Sequence, residues 1–260
     1  MRRRSLILIA AAGLALGLAA PAQADALSDI QARGSIRIAV PQDFPPFGSV
    51  SIDMTSVGYD IDVAKAIAEH LGVSVELVPV TSANRIPYLQ TGQVDLVISS
   101  MGKNAEREAV IDFTDAYAPF FNGVFGEADV TLAGPEDMAG YSVGVTRGAV
   151  EDLTLTDLLP EGVEISRYED NNGTISAFLS GQVDLIATGN VVAAAIIENN
   201  PARRPELKFL VQNSPCYIGL NKNEPELLAA VNTIVAEMKA DGSLNTIAQT
   251  WLKADLPADL

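Results

Sequence analysis

The chain has 260 residues, with 33 acidic against 17 basic side chains and a formal net charge of −16. This excess of negative charge repels nucleic acid and anionic lipid surfaces, which argues against either as a partner. The chain has one histidine, His70, and one cysteine, Cys216. The usual ligand sets of zinc and iron cannot be assembled from them, and no disulfide can form within the chain, so we expect no metal and no cofactor.

The N-terminus carries the features of an export signal. Residues 2–4 are arginines, residues 6–20 are apolar or glycine, and Ala22-Gln-Ala24 has the small-residue spacing of a cleavage site. The pattern predicts a signal peptide over residues 1–24 and export of a soluble chain that begins at Asp25. Because the apolar run is short for a membrane span, an uncleaved anchor is only the alternative.

Helix and strand patterns alternate through the first half of the chain. Strands are predicted over 36–40, 73–80 and 94–98, and helices over 58–71, from Ser82 or Asn84 to Thr91, and over 105–110. Gly72 and Gly92 follow helices in the position that favours a left-handed residue. This order predicts a parallel sheet with helices on both faces.

An internal repeat then indicates a second unit. The segment Gly92-Gln-Val-Asp-Leu96 returns as Gly181-Gln-Val-Asp-Leu185, each time between a helical pattern and an apolar strand pattern. The second unit has predicted strands over 143–145, 163–168 and 183–187, and helices over 150–159, 173–180 and 191–199. Segments 120–125 and 216–220 are predicted to be crossover strands of a hinge, after which helices over 224–240 and 243–253 return to the first unit. Two such units predict two lobes with a cleft between them.

Several motifs occur in a fixed order along the chain. They are Pro45-Pro-Phe47, Gly58-Tyr-Asp-Ile-Asp62, the two Gly-Gln-Val-Asp segments, Ser99-Ser-Met-Gly-Lys-Asn-Ala-Glu-Arg107 and Asp112-Phe-Thr-Asp-Ala-Tyr117. Together they resemble the polar amino acid family of periplasmic solute-binding proteins, the receptors of ABC importers (family 3). The resemblance implies an α/β fold of the Venus flytrap type, in which each lobe is a sheet flanked by helices and two strands form the hinge. Lobe 1 would comprise residues 25–119 and 217–260, and lobe 2 residues 120–216.

The same resemblance implies a function. The protein would be a periplasmic monomer that captures a small carboxylate-bearing molecule and delivers it to a membrane permease, without catalysing a reaction. Arg107 matches the arginine that clamps the ligand α-carboxylate, a task suited to the two parallel donors of a guanidinium. Ser100 and Gly102 match positions that contact the carboxylate and the amino group, and Phe44 or Phe47 matches the aromatic residue that covers the ligand.

A further segment points to the ligand side chain. Thr81-Ser-Ala-Asn-Arg85-Ile-Pro87 resembles the corresponding segment of glutamate/aspartate-binding relatives. The resemblance implies that Ser82 and Arg85 receive a side-chain carboxylate. Two arginines in one cleft favour a ligand with two negative groups.

The second lobe departs from the family pattern. Relatives hold the ligand ammonium with an aspartate at the position of Gly189, which Asn190 follows here. Their Gly-Thr-Thr loop reads Gly148-Ala149-Val150, and Arg147 adds a cation beside it. Asn171 stands roughly where binders of acidic amino acids carry a histidine.

These departures leave alternatives for the ligand. Asp170, Glu151 or another acid holds the ammonium group, or the ligand has no amino group. We expect an acidic or polar amino acid first, and an amino-free organic anion such as a dicarboxylate second. A cyclohexadienyl dehydratase-like enzyme on the same fold is the third reading, with Glu151, Asp170 and Glu169 as candidate acids.

Overall fold

The structure, a computed structural model, describes residues 25–199 and 201–260. The predicted signal peptide over 1–24 lies outside the described residues. Within them, no helix has the length and apolar character that a membrane crossing needs.

The helices and strands form three consecutive groups along the chain, the first in lobe 1, the second in lobe 2 and the third in lobe 1 again. The first gives α1 (Ala26–Arg33), β1 (Ser35–Pro41), β2 (Asp43–Phe44), β3 (Gly48–Val50), β4 (Ser56–Val57), α2 (Tyr59–His70), β5 (Ser74–Val80), α3 (Arg85–Gln90), β6 (Leu96–Met101), α4 (Ala105–Val110) and β7 (Ile111–Ala118). The second gives β8 (Phe121–Gly126), a 3₁₀ turn (Pro135–Met138), β9 (Ser142–Thr146), α5 (Val150–Leu158), β10 (Glu164–Tyr168), α6 (Asn171–Leu179), β11 (Leu185–Gly189), α7 (Asn190–Glu198) and β12 (Glu206–Asn213). The third gives β13 (Cys216–Asn221), α8 (Pro225–Ala240) and α9 (Ser243–Trp251).

Two five-stranded sheets organise the molecule. Their strand orders are β5-β1-β6-β13-β7 in lobe 1 and β10-β9-β11-β8-β12 in lobe 2. The predicted parallel pairs form, since β1 pairs in parallel with β5 and β6, and β9 with β10 and β11. The sheets are nevertheless mixed, because β13 and β8 run antiparallel to both of their neighbours. These are the two strands that enter each sheet directly from the other lobe.

Several elements have no counterpart among the predicted ones. Strand β7 lies at the edge of the first sheet and β12 at the edge of the second, α1 precedes the first strand, and β2, β3 and β4 form a small separate sheet. Strands β2 and β4 have two residues each and β3 has three, which is too short for a period-two pattern to appear in the sequence.

The sequence repeat is also a structural repeat. Gly92 and Gly181 both take left-handed conformations, with φ of 67° and 76°. The following aspartates make the same contact, since Asp95 accepts a hydrogen bond from the Arg37 backbone N–H at 2.8 Å and Asp184 accepts one from the Ser142 N–H at 2.9 Å. Each aspartate thus ties the strand that follows it to that strand's parallel neighbour, β6 to β1 and β11 to β9. The two-lobed fold predicted from the repeat is confirmed.

The lobes are joined by two short crossovers. The chain leaves the first sheet after β7 and enters the second at β8, and it returns between β12 and β13. Each connection contains a proline, Pro119 in one and Pro215 in the other. The predicted two-strand hinge is therefore present. The carboxyl ends of the parallel strands in both sheets face the gap between the lobes, which is where open α/β sheets hold their ligands.

Candidate ligand-binding site between the lobes

A cavity lies between the two sheets at these strand ends. Lobe 1 and the first crossover contribute Pro41, Phe44, Val80, Ser82, Arg85, Ser99, Ser100, Gly102, Arg107 and Phe120, and lobe 2 contributes Asn122, Ala149, Val150, Glu151 and Asn171. Nine of the residues implicated by the sequence are in this set: Phe44, Ser82, Arg85, Ser100, Gly102, Arg107, Ala149, Glu151 and Asn171. The structure therefore brings most of the expected site together from distant parts of the chain.

Arg107 reaches the cavity from the short helix α4. Asn104 caps this helix by accepting a hydrogen bond from the Arg107 backbone N–H at 2.8 Å, which fixes where the side chain starts. Arg107 is 4% exposed, and its guanidinium donates to the carbonyls of Gly102 and Gly148, at 2.8 and 2.9 Å. Burial and the neighbouring Arg85 lower its pKa to about 9, so it stays a cation at neutral pH.

Arg85 is the second buried cation of the site. It is 5% exposed and donates to the carbonyl of Ser99 at 2.6 Å and to that of Ser82 at 3.2 Å. Burial lowers its pKa, and Glu151 counteracts that shift most. Two of the five N–H groups of each guanidinium donate to carbonyls within the described chain, so each arginine keeps further donors that an anion can use.

Glu151 faces these cations from lobe 2. It lies in the first turn of α5, is 4% exposed, and lines the same cavity as Arg85 and Arg107. Burial raises its pKa to about 7, while its own backbone and the two guanidinium groups favour the charged form. Within the described ranges, no other carboxylate lines the cavity.

The aromatic residues of the site are layered. Phe44 lines the cavity and stacks on Phe47, with ring centroids 5.9 Å apart and planes inclined by 19°. Phe47 itself is completely buried beneath it and packs edge-on against Phe120 at 5.4 Å. Of the two phenylalanines that the sequence offered, Phe44 is therefore the one in the cavity lining. Phe120 lines the cavity as well, at the start of the first crossover.

The backbone around Ser100 is held by a buried network. Ser100 has φ of +43°, unusual for a residue with a side chain, and such conformations persist only where the surroundings impose them. Its N–H donates to the Tyr117 hydroxyl at 3.1 Å, and that hydroxyl donates to Asp60 at 2.6 Å. Ser100 lines the cavity on the lobe-1 side, together with Ser82, Gly102 and Arg85.

Several residues implicated by the sequence lie outside the cavity lining, among them the candidate acids Asp170 and Glu169. Phe47 is part of the core below it. Arg147 is exposed and pairs with Glu169 at 2.8 Å. The Asn190 side chain accepts a hydrogen bond from the Phe121 N–H at 3.1 Å, so it fixes the start of β8.

Asp43 joins the lobes at the edge of the cavity. This buried lobe-1 carboxylate accepts hydrogen bonds from the backbone N–H groups of Asn171 and Asn172, at 2.7 and 3.1 Å, and from the Asn171 amide at 3.2 Å. The sequence reasoning did not single it out, because nothing local marks a loop aspartate as the partner of a helix 128 positions away. The lobes are also in close contact where Gly148 approaches Ala83.

The burial of Glu151 predicts that closure of the empty cleft depends on pH. Arg85 on α3, Arg107 on α4 and Asp152 on α5 are the charged groups that act on it. Burial raises its pKa to about 7, and in an open cleft we expect the ordinary, lower value of an exposed glutamate, so closing would take up a proton. Closure is therefore favoured at low pH, and this contribution is lost as the pH rises through about 7.

We expect the ligand-free protein to have a smaller radius of gyration at about pH 5.5 than at about pH 8, measured by small-angle X-ray scattering. Glu151→Gln should remove the difference, because a neutral amide has no proton to gain. A wild-type radius that does not change over this range would contradict the assignment.

Comparison with known proteins identifies the family. The model of the bacterial extracellular solute-binding proteins, family 3, matches residues 36–254. The chain belongs to this family, as its motifs suggested.

Individual relatives cover nearly the whole chain. The L-cystine-binding protein TcyJ of Escherichia coli (strain K12) is 25% identical over 260 residues, which cover 98% of this chain and 97% of the relative. The glutamate/aspartate import solute-binding protein of Salmonella typhimurium is 27% identical over 264 residues, covering 94% and 87%. The crystal structure of the ancestral amino acid-binding protein AncCDT-1, a precursor of cyclohexadienyl dehydratase, matches with a TM-score of 0.79 and 31% identity over 87% of this chain and 99% of that chain. Two of these relatives are named for different ligands, L-cystine and glutamate/aspartate, so the ligand of this chain has to be inferred from the cavity itself.

Proposed function

We propose that the protein is the substrate-binding component of an ABC importer, which captures an acidic amino acid in the interlobe cleft and delivers it to a membrane permease. It would do so as a periplasmic monomer, without chemical change to the ligand. The observation that carries the proposal is that two buried arginines, Arg85 and Arg107, line one cavity together, and that Glu151 lines it from lobe 2.

The charges of the cavity correspond to those of an acidic amino acid. Such a ligand has two carboxylates and one ammonium group, and the cavity offers two guanidinium groups and one carboxylate. Arg107 would bind the α-carboxylate with Ser100 and Gly102, and Arg85 would bind the side-chain carboxylate with Ser82. A basic side chain would instead bring a third cation close to two buried ones, which is unfavourable where water is excluded.

The ring of Phe44 would cover the apolar stem of the ligand. Phe44 lines the cavity and is supported from below by Phe47, so its position is fixed before a ligand arrives. Rotation about the two crossovers would then let lobe 2 close over a ligand that is first bound to lobe 1.

An amino-free organic anion is the second candidate. The observation that favours it is the glycine at 189, a position where the family resemblance implies an aspartate for the ammonium group. A dicarboxylate could use both arginines, but its binding would leave Glu151 buried beside two further negative groups. We therefore rank it below the amino acid.

Binding assays with a matched panel test the proposal. Purified protein, freed of bound ligand by partial unfolding and refolding, is tested by thermal shift and calorimetry with L-glutamate, L-aspartate, L-glutamine, L-arginine, L-cystine and succinate. We expect the acidic amino acids to raise Tm most, by roughly 5 °C at about 100 times Kd. A larger rise with L-arginine or L-cystine would contradict the acidic class, and the appearance of a product from the bound ligand would indicate an enzyme.

The contact of Asp43 with α6 predicts slow ligand release. Asp43→Ala removes three interlobe hydrogen bonds to a charged acceptor, so we expect L-glutamate to dissociate roughly tenfold faster in stopped-flow measurements. Asp53→Ala is the matched control, since the Asp53 carboxylate of the same lobe bonds only to its own loop among the described residues. Equal dissociation rates in the two variants would show that Asp43 does not hold the lobes together.

A further inference from the structure

We propose that Glu151, in α5, determines specificity by binding the ligand's ammonium group. It would take the place of the aspartate that the family resemblance implies at position 189, where this chain has a glycine. The inference rests on the proposed capture of an amino acid. It assigns the amino group of that ligand to Glu151 and not to position 189, which the family pattern indicates.

The structure first shows why an acid cannot stand at 189. A Cβ atom added to Gly189 would lie 1.9 Å from Cζ of Phe120 and 2.4 Å from its Cε2. The ring of Phe120 therefore occupies the space that a side chain at 189 would need. Because Phe120 is itself packed against Phe44 and Phe47, the ring cannot move aside without disturbing the aromatic layer.

The other acids near the site have structural partners. Asp170 caps α6 by accepting a hydrogen bond from the Gly173 N–H at 2.7 Å. Glu169 has a 79% exposed side chain and pairs with Arg147 on the surface. Asp152 accepts hydrogen bonds from Arg167 and from the Gly148 N–H, and it is not itself among the cavity-lining residues. Each of these carboxylates thus has a role that does not involve a ligand.

Glu151 has the properties that an ammonium site requires. Its side chain is buried, lines the cavity, and comes from lobe 2, so it meets the ligand only when the cleft closes. An ammonium group taken out of water needs a carboxylate partner, since an unpaired buried charge is strongly unfavourable. The same carboxylate would disfavour an amino-free anion, whose negative groups would face it. Glu151 therefore accounts for selection between the two ligand classes that the sequence left open.

A ligand pair that differs only in the amino group tests this assignment. L-glutamate and glutarate share both carboxylates and the carbon chain, so the ratio of their Kd values measures recognition of the ammonium group. We expect wild-type protein to prefer L-glutamate, and Glu151→Gln to reduce that preference by about tenfold or more through weaker binding of L-glutamate. Glu169→Gln is the matched control, because it removes the same charge from lobe 2 at an exposed position, and it should leave the ratio unchanged.

The outcomes separate this inference from the proposed function. If neither compound binds wild-type protein, the acidic class fails, and the amino acid of the panel that binds and its deamino analogue decide the assignment: a preference that Glu151→Gln lowers about tenfold supports it, and a ratio within threefold of wild type overturns it. If both bind and Glu151→Gln leaves their ratio within threefold of wild type, the assignment of Glu151 is overturned while anion capture stands. A wild-type preference for glutarate would also overturn it. Retained circular dichroism and retained glutarate binding in Glu151→Gln show that the variant is folded.

Discussion

Replacing Arg107 by alanine is expected to abolish high-affinity binding. The guanidinium is buried between the lobes and already fixed by the Gly102 and Gly148 carbonyls, so it can receive a carboxylate without first being ordered. Losing one partner of a buried, hydrogen-bonded charge pair costs about 2–5 kcal/mol, so calorimetry should show L-glutamate binding weakened roughly 100-fold.

Arg147→Ala provides the matched control for this variant. Arg147 is another arginine close to the cleft, but it is half exposed and pairs with Glu169, so its loss should change Kd by less than about threefold. An Arg107→Ala protein that is folded by circular dichroism and binds L-glutamate within threefold of wild type would show that no carboxylate is clamped there.

The second large effect is expected at Arg85, and it concerns selectivity. Arg85→Gln keeps much of the side-chain volume and a donor for the Ser99 carbonyl but removes the charge. We expect the preference for L-glutamate over L-glutamine, measured as the ratio of their Kd values, to fall by about tenfold or more.

The same substitution at the surface controls for a general effect of charge. Arg147→Gln should leave the glutamate-to-glutamine ratio as it is in wild type, because the screened surface charge lies outside the cavity. If Arg85→Gln weakens both ligands equally, Arg85 supports the wall formed by Ser82 and Ser99 and does not recognise a second carboxylate.

The two-lobed fold could be predicted from the sequence because the local signals for its helices and strands occur twice. Gly92 and Gly181 end helices in left-handed conformations, and the aspartates three residues later tie equivalent strands together. The direction of β8 and β13 was not predictable in this way. It depends on which sheet a strand joins after a crossover, and no local pattern records that choice.

The residues of the candidate site also fall into a group that could be predicted from the sequence and a group that could not. Arg85, Arg107 and Ser100 stand in contiguous motifs of lobe 1, so the resemblance could single them out, and all three line the cavity. Glu151 and Phe120 could not be ranked from the sequence, because their roles depend on packing between distant segments. Gly189 looked like the loss of a binding group, whereas the structure shows its space filled by an aromatic ring.

A crystal structure with L-glutamate tests the central claim most directly. We predict the α-carboxylate within hydrogen-bonding distance of the Arg107 guanidinium, the side-chain carboxylate at Arg85, and the ammonium group at Glu151, with the lobes closed by Asp43 on α6. A ligand bound elsewhere, or one in the cleft with its carboxylates away from Arg107, would contradict the account.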